Sequence, residues 1–424
     1  MATRRWRGDA PKVTQINTLT VGGTPANAQV YSVTINGKSV AYTATGADTN
    51  NSIATALRAL LAASVIPEFL EVTWTVLTNV ITGTARTAGK PFANSSGATG
   101  TGALVTATPT PNSGPSVVSM AANWEGGSTP ADGDDIVFDS GASDVLYDLD
   151  QNAVTPASIL VDVGYRGRIG LPDVNSDDAS RPYAEYREKY LRYGNSGDGQ
   201  AVTLTIRGGA GRIKVNTGTA QAVWNVNDSA QPLENNVPSV LLRGTHTSNA
   251  LNVSRGDVGV ALFAGETANL ATVNVGYRTN RAGDARVRLG AGVGLANVTL
   301  VQTGGTLEIN SATSGSATLT LYDGTLTLAA GAHTGVAVRG GQCIFNSAGT
   351  LGGATVISGE GHLDFSQDLR SKAVTNPIDL FGPNARLSDP NKVIASLVVD
   401  LDETAVSENL RIGTHVRLTR GTPS

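Results

Sequence analysis

Residues 294–367 contain four short apolar strands that each follow a glycine-rich corner: GGTLEIN from Gly304, DGTLTLA from Asp323, GGQCIFNS from Gly340 and GEGHLDFS from Gly359. The corner glycines are Gly305, Gly324, Gly341 and Gly361, and they are 19, 17 and 20 residues apart. A second series of strands, centred on Leu300, Leu321, Val338 and Ile357, alternates with the first at steps of 21, 17 and 19 residues. Two strand series that share one long period predict a coiling β-structure in which each repeat is one turn.

The alternation within each strand indicates how the turns must associate. In Gly324–Leu328 the leucines lie on one face and the threonines on the other. One turn has too few apolar side chains to offset the entropy lost on ordering it, so the turns must stack to share a core. We therefore predict a mainly β chain, a parallel β-helix or solenoid with a small N-terminal α+β domain. A meander-type β-sandwich is the alternative, but it needs no matched long period.

Composition limits the possible functions. The chain has 424 residues, 50 of them glycine, with 16 % charged and 5 % aromatic residues, which fits β-structure with small corners. The net charge of −4 disfavours a nucleic-acid partner. No apolar run reaches membrane-spanning length and no signal peptide is visible, so we expect synthesis and folding in a cytoplasm without membrane insertion.

The N-terminal region divides into three parts. Residues 1–12 form a basic arm, and its residues Arg4, Arg5, Trp6 and Arg7 suggest either a disordered tail or a peg that orders against an acidic neighbour in an assembly. Residues 13–92 predict strands, an Asn36-Gly37 hairpin turn and a helix over Ile53–Ala63, preceded by capping residues at 48–52. Residues 93–120, rich in Ser, Gly, Thr and Pro, predict a linker.

Two stretches of the sequence resemble parts of known protein families. The β-β-β-α-β-β order around YSVTINGKSVAYTATGADTNNSIATALRALL resembles small modules of bacteriophage virion proteins and large bacterial surface proteins. The pattern NWxGGxxPxxGDxxxF, from Asn123 to Phe138, resembles the opening segment of solenoid domains in autotransporter-like and phage proteins. The resemblance implies a solenoid over residues 121–392 whose open end is covered by Trp124 and whose first turn begins at Ile136 and Phe138.

The remaining segments depart from the period. Residues 171–199 form a charged insertion that we expect to project from the solenoid, with a short helix over Ala184–Arg192. Its interface candidates are Tyr183, Tyr186, Arg187, Tyr190 and Arg192, because Tyr and Arg dominate binding hot spots. A surface loop without a partner is the alternative. The period is lost over residues 368–392, and residues 393–424 predict a C-terminal β cap or interaction segment.

The sequence contains no convincing catalytic, cofactor or metal site. Cys343 lies on an apolar strand, and the four histidines are too dispersed for a zinc motif. Glu308 and Asp364 are expected on the outer face three turns apart, about 14 Å, which is too far for glycoside hydrolysis. The acids Asp132, Asp134, Asp135 and Asp139 suggest calcium, but they lack the pattern of a calcium loop and are interpreted as solvated turn residues.

The phage resemblance implies a structural virion protein, a capsid decoration or head-fibre type of auxiliary protein that attaches through its N-terminal region. Its expected partners are the major capsid protein or a tail protein, its expected state is a homotrimer, and its expected location is the virion. Two alternatives stay open: a tailspike-like protein that binds or cleaves host glycan, and a bacterial surface adhesin.

Overall fold

The computed structural model describes residues 2–195, 199–209, 211–228, 236–276, 285–405, 410–412 and 416–420. It is mainly β and contains a parallel β-solenoid of about 11 turns beside a small α+β module, as predicted. None of its described helices is long and apolar enough to cross a membrane.

The first strand of the chain is β1 (Thr3–Arg5), and the module follows it. The module comprises β2 (Ile16–Gly23), β3 (Val30–Ile35), β4 (Lys38–Thr43), α1 (Asn50–Ala63), a 3-10 turn (Phe69–Glu71), β5 (Val72–Leu77), β6 (Val80–Ala85), β7 (Ser95–Ala98) and β8 (Gly102–Thr110). These strands form two antiparallel sheets, in the orders β5-β6-β2-β8 and β4-β3-β7.

The predicted elements of the module are confirmed. Asn36 and Gly37 have φ of 52° and 71°, the conformation of a type I′ turn between paired strands. The helix begins three residues earlier than predicted, after the N-cap Thr49, whose hydroxyl and backbone form a capping box with Ser52. Its buried face is Ile53, Ala54, Leu57 and Leu61.

The predicted linker over residues 93–120 is wrong. β7 pairs with β3, and β8 pairs with β2 along its whole length, so the module continues to Thr110. The glycine that suggested flexibility is required by packing, because a Cβ on Gly102 would lie 2.5 Å from the hydroxyl of Tyr31. Alternating Val, Thr and Ala then complete a strand despite the low-complexity composition.

The remaining strands belong to the solenoid, except for Val174–Asn175 and Tyr183–Ala184, which pair antiparallel with each other in the insertion. In chain order they are β9 (Asp135–Phe138), β10 (Asp150–Gln151), β11 (Ser158–Val161), β12 (Val174–Asn175), β13 (Tyr183–Ala184), β14 (Leu191–Tyr193), β15 (Val202–Ile206), β16 (Ile213–Asn216), β17 (Ala222–Asn227), β18 (Val240–Arg243), β19 (Ala250–Val260), β20 (Ala268–Asn269), β21 (Thr272–Val275), β22 (Ala285–Leu289), β23 (Val293–Ala296), β24 (Thr299–Ile309), β25 (Thr313–Ser314), β26 (Thr318–Leu328), β27 (Ala337–Val338), β28 (Gln342–Phe345), β29 (Thr350–Leu351), β30 (Thr355–Ile357), β31 (His362–Asp364), β32 (Ala373–Val374), β33 (Ile378–Leu380), β34 (Arg386–Asp389), β35 (Leu397–Leu401), β36 (Leu410–Ile412) and β37 (Val416–Arg420).

Each turn pairs in parallel with the next turn at matching positions, so inward side chains form columns. One column runs through Leu307, Leu326, Cys343, Leu363 and Leu387, all of them buried. Burial raises the pKa of the Cys343 thiol to about 12, in agreement with its interpretation as a small core residue. The long strands β24 and β26 turn the solenoid corner without interruption, and Gly305 and Gly324 at that corner have positive φ.

The basic arm of residues 1–12 is not a disordered tail. Its strand β1 pairs in parallel with β9, the first strand after the module, and Trp6 is 1 % exposed beside the predicted end-covering residue Trp124. The chain therefore starts in the solenoid, leaves it to form the module, and returns. Val13 and Ser113 form an antiparallel bridge where the two connections meet.

The C-terminal prediction needs correction. Residues 368–392 continue the turns of the solenoid, since β33 pairs with both β30 and β35. The strand β37 pairs in parallel with β35, so the strands expected to seal the end are further turns of the same solenoid. The period was obscured in the sequence because the corners are longer there. Residues 406–409, 413–415 and 421–424 of this segment lie outside the described residues.

Candidate functional site

The arginines of the arm bind acids of the chain itself. Arg4 Nε lies 2.9 Å from Asp134 Oδ2, Arg5 pairs with Asp139, and Arg7 Nη2 lies 2.9 Å from Glu125 Oε2. The acidic surface that the arm was expected to find on a neighbour is thus present in its own chain. Trp6 is unavailable to a partner in this fold, whereas contact of Arg5 and Arg7 with another molecule stays a prediction.

The same contacts explain the acids that suggested calcium. Burial alone would raise the pKa of Asp134, but hydrogen bonds from the Ala2 backbone N–H and the Arg4 guanidinium hold it below its ordinary value. The hydroxyl of Ser158 binds Asp135, and the backbone N–H of Thr155 donates to Asp132. Across the described residues no group of three or more His, Cys, Asp or Glu side chains is placed to hold a metal ion.

The insertion of residues 171–199, described except for 196–198, contacts the module at several points, and most of its polar contacts converge on the carboxylate of Glu71. Glu71 accepts from Arg187 Nη2 at 3.0 Å and from the hydroxyls of Tyr183 and Tyr186, and it also pairs with Lys90. The Glu71 and Arg187 side chains are 14 % and 10 % exposed, so this contact is largely shielded from water. We call these five residues the Glu71 cluster.

Arg187 lies at the centre of the Glu71 cluster. Its guanidinium carbon is 4.6 Å from the ring centroid of Tyr186, and its Nε lies 3.1 Å from Glu185 Oε1. Burial would lower the pKa of Arg187, but the surrounding Tyr186, Glu71 and Glu185 raise it above its ordinary value. Arg187 therefore stays charged and joins the insertion to the module.

The predicted interface residues of the insertion all make contacts within the chain. Tyr190 is buried and donates to Glu266 Oε1 at 2.7 Å, and Arg192 Nη1 lies 3.6 Å from Asp150 Oδ2. The helix predicted over Ala184–Arg192 is wrong, because Glu185 and Glu188 bind nearby backbone N–H groups and Tyr190 and Leu191 enter the interior. The insertion therefore packs on the module, and its contact with another subunit or with a virion protein stays a prediction.

No pattern in the sequence points to Glu71 or Lys90 as functional residues. Glu71 is 112 residues away from Tyr183 in the chain, and no motif surrounds it. Beside the cluster lies a cavity of about 310 Å³, lined by Leu70, Arg86, Pro91, Asp178 and Arg181 together with members of the cluster.

Among the histidines, His333 is buried and His362 is partly buried. Burial lowers the pKa of His333 to about 4, and His362 Nε2 lies 2.8 Å from Ser388 Oγ. Glu308 and Asp364 are three turns apart as expected, in the column Glu308, Thr327, Ile344, Asp364. Asp364 is 3 % exposed, not open to solvent, because Gln342 Nε2 covers and binds it at 3.0 Å.

A groove of about 720 Å³ follows the outer face of the strands β15, β17, β19 and β21. Three asparagines at matched positions form a ladder: Asn274 Nδ2 donates to Asn252 Oδ1 at 2.8 Å, and Asn252 Nδ2 donates to Asn225 Oδ1 at 2.9 Å. Each amide has a second N–H or lone pair beyond this ladder. Thr205 and Ser254 add hydroxyls, Val163, Ile206 and Val226 add apolar surface, and Arg207 is the charged residue of this lining.

Comparison of the chain with protein-family models and with curated proteins finds no match to either.

Proposed function

We propose that this chain is a structural component of a tailed-bacteriophage virion, an auxiliary protein of the capsid-decoration or head-fibre kind. The observation that carries the proposal is the joining of the module to the solenoid by the Glu71 cluster and by the returning N-terminal strand. With the module fixed to the solenoid, the module can attach to a particle while the solenoid projects from it. The assignment to a phage particle rests on the resemblance of the module and of the solenoid opening to parts of phage proteins.

Attachment is assigned to the outer surface of the module. The strand β1 of the arm pairs with β9 and Trp6 is buried, so the arm offers a partner less surface than the module does. The module has exposed apolar side chains at Leu77, on the tip of the β5–β6 hairpin, and at Val105 in β8, which are 78 % and 61 % exposed. Exposed aliphatic residues on separate strands suit burial against the major capsid protein or a tail protein.

Particle labelling tests this proposal. Antibodies raised against the recombinant chain should label purified tailed-phage particles from the source of the sequence, and quantitative mass spectrometry should give its copy number. Many copies on the head indicate decoration, and a few copies at the tail indicate a fibre or spike. The expected homotrimer is tested by light scattering of the purified chain. Absence of the chain from purified particles would refute the virion assignment.

The asparagine groove favours a second candidate function, binding of a neutral host glycan. Amide groups aligned along the solenoid axis can donate to and accept from successive sugar hydroxyls. On a glycan array, the chain should then bind neutral polysaccharides. The double variant Asn252→Ala with Asn274→Ala should lose that binding signal. An array without signal, or a signal that the double variant retains, would remove this candidate.

A further inference from the structure

A second cavity, of about 750 Å³, lies where the start of the insertion meets the solenoid. Its apolar wall comprises Leu146, Tyr147, Leu171, Pro172, Val237 and Phe263. Its polar wall includes Arg168, Arg212, Lys214 and Asp173. This volume lies within the range of about 300–1,000 Å³ that is usual for small-molecule sites, and apolar walls with a few charged groups are typical of them.

The cations of this cavity outnumber the carboxylates that they contact. Lys189 and Lys214 both bind Asp173, at 2.6 and 2.8 Å. Arg168 Nη2 lies 2.6 Å from Asp144 Oδ2. Within the described part of the chain, Arg212 makes no ion pair with a carboxylate.

Arg212 is nevertheless held in one place. Its Nε and Nη2 both donate to the carbonyl oxygen of Gly170, at 3.2 and 2.8 Å. This arrangement leaves the Nη1–Nη2 edge of the guanidinium without a described acceptor, and that edge matches the two oxygens of a carboxylate.

Two glycines make room for this arrangement. Gly170 has φ of +92°, and a Cβ there would lie 2.5 Å from the Lys189 carbonyl oxygen and 2.7 Å from Lys214 Cβ. A Cβ on Gly211 would lie 2.7 Å from Arg168 Cγ. The absence of a side chain at residue 211 therefore leaves room for Arg168, and its absence at residue 170 leaves room for Lys214 and the Lys189 backbone.

The electrostatics agree with an unmatched cation. Burial and the nearby Arg168 lower the pKa of Arg212 to about 10. Burial lowers the pKa of Lys214 as well, with Arg212 and Lys189 contributing, although Asp173 opposes this shift. A bound anion would offset the repulsion among these groups.

We propose that this cavity binds a small organic carboxylate, whose carboxylate group pairs with Arg212 and whose apolar body contacts the wall formed by Val237 and Phe263. A carboxylate is favoured over a phosphate because a single negative charge matches Arg212, while Asp173 and Asp177 in the same lining disfavour a second charge. This inference is independent of the virion assignment.

Calorimetric titration at low ionic strength tests the site with benzoate and glucuronate, beside their neutral counterparts benzyl alcohol and glucose. We expect saturable, salt-sensitive binding of at least one carboxylate and none of its neutral counterpart. Arg212→Gln should weaken that binding by about tenfold or more. The matched control is Arg339→Gln, an exposed arginine outside this cavity and outside the asparagine groove, and it should leave binding unchanged.

Circular dichroism and the thermal midpoint establish that each variant is folded, and Arg212→Lys supplies a second variant that keeps the charge but loses the planar fork. Arg212→Lys should bind more weakly than the unmodified chain. The proposal is overturned if neither carboxylate binds, if inorganic phosphate binds as tightly as they do, or if Arg212→Gln and Arg339→Gln bind equally.

Discussion

Trp6 shows how one side chain closes the N-terminal end of the solenoid. Its ring lies 5.1 Å from that of Trp124 in an edge-to-face contact and 6.3 Å from that of Phe138, and its Nε1 donates to the Ser143 carbonyl at 3.1 Å. Trp6 thus fills the end of the column that Phe138 begins, and it anchors the arm by packing in addition to charge.

We expect Trp6→Ala to destabilise this end of the solenoid by about 3–5 kcal/mol, because it leaves a cavity and removes a buried hydrogen bond. Denaturant unfolding followed by the fluorescence of the remaining tryptophans measures the loss. Arg7→Ala is the control and should cost about 1 kcal/mol or less, since its ion pair with Glu125 is exposed. Equal effects of the two substitutions would mean that Trp6 does not seal the core.

His333 predicts a pH dependence at the residue scale. Its Nε2 contacts the Ala330 carbonyl at 3.0 Å, its ring packs edge-on against Phe345, and burial lowers its pKa from 6.5 to about 4. As the pH falls, His333 is therefore protonated near pH 6.5 in the unfolded chain but only near pH 4 in the folded chain. The stability that His333 contributes is complete above pH 6.5 and is lost as the pH falls towards 4.

The variant His333→Gln has no titratable group at this position, so it takes up no proton there. Relative to it, the unmodified chain should lose roughly 2 kcal/mol of unfolding free energy between pH 7 and pH 4.5. Urea titrations of both proteins at several pH values measure the difference in unfolding free energy. Both proteins contain the same carboxylates, so the pH effect of these groups cancels in that difference. A difference that is constant with pH would show that the pKa of His333 is the same in the folded and the unfolded chain.

At the scale of elements, the insertion acts as a brace between two separately packed units. The solenoid and the module have distinct hydrophobic clusters, and Tyr186 of the insertion packs against the module cluster. The Asn36 side chain on the β3–β4 turn also donates to the Ala184 carbonyl at 3.2 Å. Loss of the Glu71 cluster should therefore loosen this brace while both cores remain.

Glu71→Gln tests the brace with little change of shape. It removes the negative charge facing Arg187 and Lys90, and breaking a buried charge pair costs about 3–5 kcal/mol locally. Hydrogen exchange across residues 171–195 should become faster, while exchange in α1 and in β24–β28 should not change. Glu125→Gln is the control, because Glu125 is half-exposed and its loss should leave the insertion protected. Unchanged exchange in the insertion would exclude Glu71 as its anchor.

The same elements show which features sequence could predict. The strands β24, β26, β28 and β31 and the helix α1 were predicted because their periodicity, corners and caps lie within about twenty residues. The positions of β1 and of the insertion depend on partners far along the chain, such as Arg5 with Asp139, 134 residues apart. For β7 and β8, composition suggested a linker, but pairing with β3 and β2 outweighs it. The cavity at Arg212 likewise depends on contacts between separate turns.

At the scale of the whole molecule, the module is an insertion within the solenoid. The strand β1 comes before the module and pairs with β9, which comes after it, so a solenoid that lacks residues 1–12 would expose the edge of β9 and the rings of Trp124 and Phe138. The exit and return connections lie side by side, since the Val13 N–H donates to the Ser113 carbonyl at 2.8 Å. The module can then be removed without separating these two strands.

We expect two deletions of similar size to have opposite outcomes. A variant that replaces residues 14–112 with a short glycine linker keeps β1 beside β9, so it should remain monodisperse with the strand-rich circular dichroism of the solenoid. A variant that starts at residue 111 loses the module and the arm together, and its uncovered β9 edge should drive aggregation. Adding a peptide of residues 1–12 to the second variant should reduce the aggregation, and a peptide with Trp6→Ala should not. If both variants stay monodisperse and equally stable, the arm is dispensable and the first turn must be closed by residues after the module.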